Sequence, residues 1–514
     1  MSNSTSAVER SAVEASWTQN SLTDTRSLGM VGALLLAVVI LAFQFRPRGP
    51  KLVGGVNLSA GLGFKDRLTK WVFESPALLQ SGYLLLKQGL PFVQITIEDG
   101  TQNVVFNHRY LKDLRAMSDD HLSFDEAVKG LVAKKYTRIS NVPAIGQDAI
   151  RGELTTNLPR LLDYMSTEVD FAFNKVMPKT DEWQLLPLEE LVLEPIAQAS
   201  ARIFVGPNLC RDERWMHIMR TFTHKTHAGL IAVKMWPPFL RPLVWPFIPS
   251  LRIIEKTWNE GRKILEQNAE AEKAAGTKGD YIREWVADKN PEWADDVQQQ
   301  VDFQFTLSMS ALHTTSMTLT HLLLDLAAYP EYADILREEM IAALHESVGK
   351  VNNHYINKLV KLDSFMKESQ RLNPLTLYTF QRMAMQDLNL SDGTHVPQGT
   401  FLVFDSSQRY LDGDLYSDPA KFDGLRFYRL READKETNTH LFVTSNLDNL
   451  AWGQGKHACP GRFFAGHLIK VILTKLLLQY DVALEEGKSR PENLTFGAAV
   501  LADPKAKLLF RKRI

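Results

Sequence analysis

From Asp302 to Leu326 the chain carries neither proline nor glycine, and apolar residues dominate with scattered polar interruptions. Strands usually stop near ten residues, so a run of this length suits a buried helix. It ends before Pro330. Further helices are expected through Ile335–Ala343 and through Ile356–Leu372, the latter stopping before Pro374. β signals follow: Leu388–Leu390, a turn at Asp392-Gly393, and Gln398-Gly399 ahead of Thr400–Phe404. A last amphipathic helix covers Arg462–Gln479. The expected class is therefore mainly α with a small β portion. The stretch Glu266–Asp296, rich in Glu, Lys, Asp and Ala, reads as a solvated surface.

A second apolar run, residues 28–45, is uncharged and just long enough to span a bilayer. No small-residue cleavage site follows it and its leading segment is not basic, which argues against a signal peptide. Arg46, Arg48 and Lys51 follow the span, whereas Glu9, Glu14 and Asp24 accompany the arginines before it. Positive charge stays on the cytoplasmic side, so the bulk of the chain is expected there. The division this implies is a lumenal tail (1–27) with an acceptor sequon at Asn3, an anchor (28–45), a Pro/Gly linker (46–55) and one catalytic domain (56–514). The prolines around Met235-Trp236 and Trp245 forbid a regular helix. Two uses fit equally: tryptophans at a membrane interface, or a buried core loop.

A net charge of −1 argues against nucleic acid as the main partner. Two cysteines, Cys210 and Cys459, make a disulfide framework improbable. Cys210 reads as a small buried hydrophobe.

Cys459 is different. It lies in Trp452-Gly453-Gln454-Gly455-Lys456-His457-Ala458-Cys459-Pro460-Gly461-Arg462-Phe463. Gly453, Gly455 and Gly461 let the backbone turn tightly and approach a flat cofactor. The following helix points backbone N–H groups at the sulfur and favours a thiolate. Such a ligand pushes electron density onto haem iron and favours O–O cleavage. His457 is placed to hydrogen-bond a haem propionate.

The order aromatic, two residues, Gly, three residues, Cys, one residue, Gly resembles the cysteine loop of the cytochrome P450 superfamily, with Trp452 in the usual place of Phe. Three more pieces resemble that family in order and spacing. Glu368 and Arg371, which share a helix face, resemble its structural ion pair, and Arg426 its third charge. Ser310-Ala311-Leu312-His313-Thr314-Thr315 resembles its oxygen-activation motif. Thr314 matches the key threonine, Thr315 follows it, and His313 replaces the usual acid; a histidine can move protons near neutral pH. Arg382 resembles a propionate ligand. The family's second basic ligand, on a W-x-x-x-R helix, has no match.

The resemblance implies a P450-type fold behind one transmembrane helix, with haem b on the Cys459 thiolate and insertion of one oxygen atom into a lipophilic substrate. The details around His313 and Cys459 look most like fungal secondary-metabolism members, with terpenoid, indole-terpenoid, alkaloid or polyketide substrates. No G-x-G-x-x-G follows a strand, so electrons from NADPH are expected through a separate membrane-bound P450 reductase, docking near Lys456 and Arg462 unless these are ordinary solvated charges. The implied location is the endoplasmic reticulum membrane. Substrate contacts are implied at Tyr136–Ile145, the helix before His313, Leu375–Thr379 and Phe496–Leu501. Three rivals are a redox-silent haem-thiolate isomerase or dehydratase, a haem sensor without catalysis, and a membrane protein without haem.

Overall fold

The structure, a computed structural model, describes residues 52–514 apart from 98–99, 140, 237–239, 277–278 and 436–437. The expected tail, the anchor at 28–45 and most of the linker lie outside the described residues. Among those described, no helix is long and apolar enough to cross a membrane.

The helices that position the site are α1 (Thr155–Val176), α2 (Leu188–Phe204), α3 (Glu213–Lys234), α4 (Pro249–Ala275), α5 (Val297–Ala328), α6 (Val360–Leu372) and α7 (Arg462–Gln479). The long apolar run forms α5. Asp296 caps it by accepting from the Gln299 N–H, the usual work of an aspartate at that position, and it stops at Tyr329 before Pro330. Helices α2, α3, α4, α6 and α7 all pack on α5. This explains why Phe303, Phe305, Leu312, Leu319 and Leu322–Leu324 are buried around its circumference, a pattern reserved for a helix inside a core. Their apolar side chains join those of α1, α2 and α7 in the main core.

The β portion is small. Strands β1 (Val56–Asn57), β2 (Phe92–Thr96), β3 (Gln102–Phe106), β4 (Leu122–Ser123), β5 (Tyr378–Ala384) and β6 (Phe401–Asp405) form one sheet in the order β1-β2-β3-β6-β5-β4. β1 with β2 and β3 with β6 are parallel, and the remaining pairs are antiparallel. Register slips between Thr379 and Arg382, where Phe380 takes φ +58°. A bulge of this kind re-aims side chains.

Two expectations are corrected. The helix foreseen over Ile356–Leu372 is broken at Leu359 (ψ 67°) into Asn353–Lys358 and α6. The stretch Glu266–Asp296 is not merely solvated. Tyr281, Ile282, Arg283 and Trp293 are buried, and Arg283 pairs with Glu272. Charged composition concealed an ion pair folded under the surface, where a buried arginine needs its partner. At the proline-rich segment, Met235, Trp236, Trp245 and Phe247 are exposed, which removes the core-loop alternative for these side chains.

Candidate functional site

One cavity of about 390 Å³ lies between α5, the strand β5 and the loop before α7. The loop is built as the glycines demand. Gly453 and Gly455 adopt φ +73° and +64°, and a Cβ at Gly455 would stand 2.9 Å from the Arg115 carbonyl oxygen. The Cys459 N–H donates to the Trp452 carbonyl at 2.7 Å and closes the turn. The Trp452 indole N–H donates to the Phe442 carbonyl at 2.7 Å. Gly461 has an ordinary φ of −86°. A Cβ there would meet nothing within 4 Å, so the backbone lies open on the cavity side.

Cys459 and Thr314 line the same cavity, as do Thr315, Arg382, His457, Trp452, Gly453 and Gly461. Gly455 acts behind the wall. The Thr314 hydroxyl donates to the Ser310 carbonyl at 2.8 Å. Burial pushes the Cys459 thiol up, against opposing pulls from the Gly461 and Arg462 N–H groups and the Arg462 guanidinium. The helix-terminus effect expected from the sequence is thus present but outweighed by desolvation. A metal cation bonded to the sulfur deprotonates such a thiol outright.

The bulge in β5 brings Thr379, Phe380, Gln381 and Arg382 all to the cavity wall. The Arg382 guanidinium lies over the Phe124 and Phe380 rings. Among the described residues its one hydrogen bond goes to the Gln381 carbonyl, at 2.9 Å, and burial lowers it to about 10 against the opposing pull of the Asp119 carboxylate. It is a buried cation that the Asp119 carboxylate stabilises without a direct hydrogen bond among the described residues.

His457 is corrected in part. It lines the cavity, but its Nε2 lies 2.6 Å from Asp119 Oδ1, a partner far away in sequence. Lys456 pairs with the same carboxylate at 2.9 Å. His313 does not line the cavity: its ring faces α3, 5.3 Å from His227 and 6.4 Å from His224, centroid to centroid. Helical geometry sets adjacent residues about 100° apart, so Thr314 lines the cavity while the His313 ring turns toward α3.

Leu307, Ser310 and Ala311 of α5 line the cavity, with Asn141, Val142, Leu375, Thr376 and Thr379, whereas none of Phe496–Leu501 does. Phe496 is half-exposed and packs edge-on against Phe73. Sequence reasoning also missed Arg151. Its guanidinium donates to Gln147 Oε1 at 3.0 Å and to the Lys456 carbonyl at 2.8 Å, and both Gln147 and Arg151 line the cavity. The signal was there as Q-x-x-x-R, with Gln in place of the tryptophan.

Glu368, Arg371 and Arg426 come together in the structure. Glu368 accepts from Arg371 at 2.7 and 2.8 Å and from Arg426 at 3.1 Å, all three side chains being buried.

Residues 149–510 match the family model of cytochrome P450. The chain belongs to the cytochrome P450 family. It is 34% identical over 430 residues to cytochrome P450 monooxygenase BOA4 of Botryotinia fuckeliana, covering 82% of this chain and 86% of that one. Cytochrome P450 monooxygenase braC of Annulohypoxylon truncatum is 35% identical, with 86% and 89% covered. An ent-kaurene oxidase of Fusarium fujikuroi is 32% identical, with 86% and 85% covered. The P450 chain described here is accordingly an oxidoreductase, in a family whose cofactor is haem on a thiolate and whose electrons generally come from a redox partner.

The residues present fit that group. Cys459 supplies the one cavity-lining sulfur among the described residues. The open backbone at Gly461 leaves room for a flat ring system, and Arg382, whose guanidinium donates only to the Gln381 carbonyl among the described residues, keeps donors for a carboxylate. Cys210, by contrast, is buried away from the site with its thiol pushed up to about 11 by burial, as a packing residue should be.

Proposed function

We propose that this P450 is a membrane-anchored monooxygenase that places one atom of O2 into a lipophilic small molecule and releases the other as water. The observation that carries the reading is a single cavity shared by the Cys459 sulfur and the Thr314 hydroxyl. Cys459 would ligate the iron of haem b, with Arg382 and Arg151 on its carboxylates and Gly461 against its face. When bound, the haem supplies oxygen activation and O–O cleavage.

The chain's own residues do the rest. Thr314 spends its proton on the Ser310 carbonyl, which frees its lone pairs to accept from a cavity water and hold it in place. Thr315 stands beside it on the wall. Leu154, Phe204, Leu307 and Ala311 present apolar surface that orients a greasy substrate and keeps bulk water out. Glu368, Arg371 and Arg426 hold the haem-side core. Two electrons come from NADPH through a membrane-bound P450 reductase, for which the basic groups near the cysteine loop offer a docking face.

The apolar segment 28–45 would anchor the chain in the endoplasmic reticulum membrane, single-pass, with the catalytic domain cytoplasmic and Asn3 in the lumen. Exposure of Met235, Trp236, Trp245 and Phe247 supports a further membrane contact. The substrate class is that of fungal secondary metabolites, terpenoid, indole-terpenoid, alkaloid or polyketide. The named substrate of the ent-kaurene oxidase relative is in keeping with an apolar wall.

The test is the absorption spectrum of the reduced, carbon-monoxide-bound protein beside Cys459→Ser. The wild type is expected to show the red-shifted thiolate Soret band and the variant to lose it. Haem without that band, or turnover that needs no NADPH, would overturn the reading.

A further inference from the structure

Three histidines meet where α3 crosses α5. His224 and His227 lie three residues apart on α3 and so share a face. Opposite them His313 of α5 has its ring centroid 6.4 Å from His224 and 5.3 Å from His227, both edge-on. The outer end of this group is wet. His224 Nε2 stands 3.4 Å from Glu189 Oε1, and both side chains are more than half exposed. His224 forms part of the rim of a solvent-open cleft of about 760 Å³, with Glu189, Glu190, Glu213, His217 and Arg220. The inner end is next to the site: Thr314, one residue beyond His313, lines the catalytic cavity.

Monooxygenation consumes protons. Substrate, O2, two electrons and two protons give one hydroxylated product and one water, so protons must reach a cavity walled mostly by apolar residues. We propose that His224, His227 and His313 form a proton-entry path from the outer cleft, across the contact of α3 with α5, to water held at Thr314. This rests on the monooxygenase reading and names the groups that feed it. An imidazole accepts at one nitrogen and donates at the other, so a chain of them passes a proton with no net change in any member. His313 lies edge-on against both α3 rings, which sets it within ring-contact range of His224 and His227 alike.

The surroundings suit transfer rather than storage. Burial, aided by His224, lowers His227, and burial, aided by His227 and His224, brings His313 to about 4. Those are the charged groups acting on the two inner rings among the described residues, and Glu189 is the one paired with His224. At neutral pH both inner rings are neutral and keep an acceptor nitrogen free.

The test uses full-length protein reconstituted with haem and reductase, comparing wild type with His227→Phe and His224→Phe, each first checked for the thiolate Soret band. Two readouts are taken: the share of NADPH electrons released as hydrogen peroxide together with the solvent deuterium effect, and ring-15N histidine NMR titrations of the reduced carbon-monoxide complex. His227→Phe should raise the peroxide share several-fold and enlarge the deuterium effect. His224→Phe, at an exposed position, should move the titrations of His227 and His313 upward by removing a like charge. A retained band with unchanged peroxide share and deuterium effect in both variants overturns the path alone. So does a His313 titration that neither variant moves. Absence of the band in wild type overturns the monooxygenase reading and the path with it. If His227→Phe does not fold, His224→Phe decides by both readouts.

Discussion

Glu368 receives the Arg426 guanidinium from 58 residues further along the chain, its two carboxylate oxygens 3.1 and 3.2 Å from the same nitrogen. Arg426 also reaches the Ser417 carbonyl at 2.6 Å and the Lys421 carbonyl at 3.1 Å, so it pins the segment ahead of the cysteine loop onto α6. Removing Arg426 takes away one of two guanidinium partners of the buried Glu368, which Arg371 still holds, at a cost of about 1.5–3 kcal/mol for a hydrogen bond to a charged group. Arg426→Leu is expected to lower the free energy of unfolding by that margin and to reduce haem content. Equilibrium unfolding beside the haem-to-protein absorbance ratio measures both.

Arg151 and Arg382 give a graded outcome. Arg382 is buried with one hydrogen bond to a carbonyl, while Arg151 keeps Gln147 and Lys456 as partners. Arg382→Leu is therefore expected to speed haem loss to apomyoglobin about tenfold or more, the equivalent of a charge-assisted bond of about 1.5–3 kcal/mol. Arg151→Leu should speed it less. Equal rates for both variants and the wild type would dismiss the propionate role.

The Thr379 hydroxyl is buried on the cavity wall with no hydrogen-bond partner among the described residues. An unsatisfied buried hydroxyl is costly, so Thr379→Val is expected to leave the substrate-free protein as stable or slightly more so. A substrate bearing an oxygen or nitrogen at that point would bind the variant roughly tenfold more weakly, about 1.4 kcal/mol. Spectral binding titrations with paired hydrocarbon and oxygenated ligands would show whether the wall discriminates between them.

Acid should destabilise this fold early. Burial holds His108 at about 4, with Arg409 nearby adding to the effect, and His467 at about 4. In the unfolded chain both take up protons below about 6.5; folded, they resist until about 4. The unfolded state therefore binds more protons in that window, and stability falls as pH drops through it. Asp405, pushed up to about 7 by burial, works in the opposite direction between the ordinary carboxylate range and 7. Replacing His108 by Asn is expected to remove roughly 3 kcal/mol of the loss at the acid end. Denaturant midpoints across the window, variant against wild type, test the slope.

Membrane attachment should survive loss of the N-terminal segment. Met235 and Phe247 are 80% and 74% exposed, with Trp236 and Trp245 beside them. A form lacking residues 1–45 is expected to float with phospholipid vesicles, and Trp236→Ser with Phe247→Ser to float several-fold less. Vesicle flotation at matched haem content makes the comparison.

Much of this was legible in the chain because it depends on local spacing. The cysteine loop, the long central helix, the final helix and the Glu368–Arg371 pair lie within single segments, and each appeared where its spacing placed it. What escaped depends on contacts between distant segments. Asp119 claims His457 across 338 positions, and no pattern near either residue announces it. Arg151 was hidden by one substitution at the position where a tryptophan was sought. His313 sat in a recognisable motif, yet its role as a contact for α3 emerged only when the crossing of two helices brought three rings together. The break at Leu359 and the folded-under pair Arg283–Glu272 were missed for a related reason: composition reports how polar a segment is, not which of its charges find partners.

The bulge in β5 has a consequence for how such a protein can diversify. A regular strand alternates its side chains between two faces, so a substrate contact and a cofactor contact on neighbouring residues would be independent of each other. Here the slipped register turns Thr379, Phe380, Gln381 and Arg382 all toward one chamber. On the proposed function, choice of substrate and grip on the cofactor would both be borne by one short length of backbone. Selection for a new substrate at Thr379 or Phe380 would then have to be negotiated with the proposed hold of Arg382 on the prosthetic group, and new specificities would be more cheaply sought on the α5 wall, where Leu307 and Ala311 lie apart from that strand.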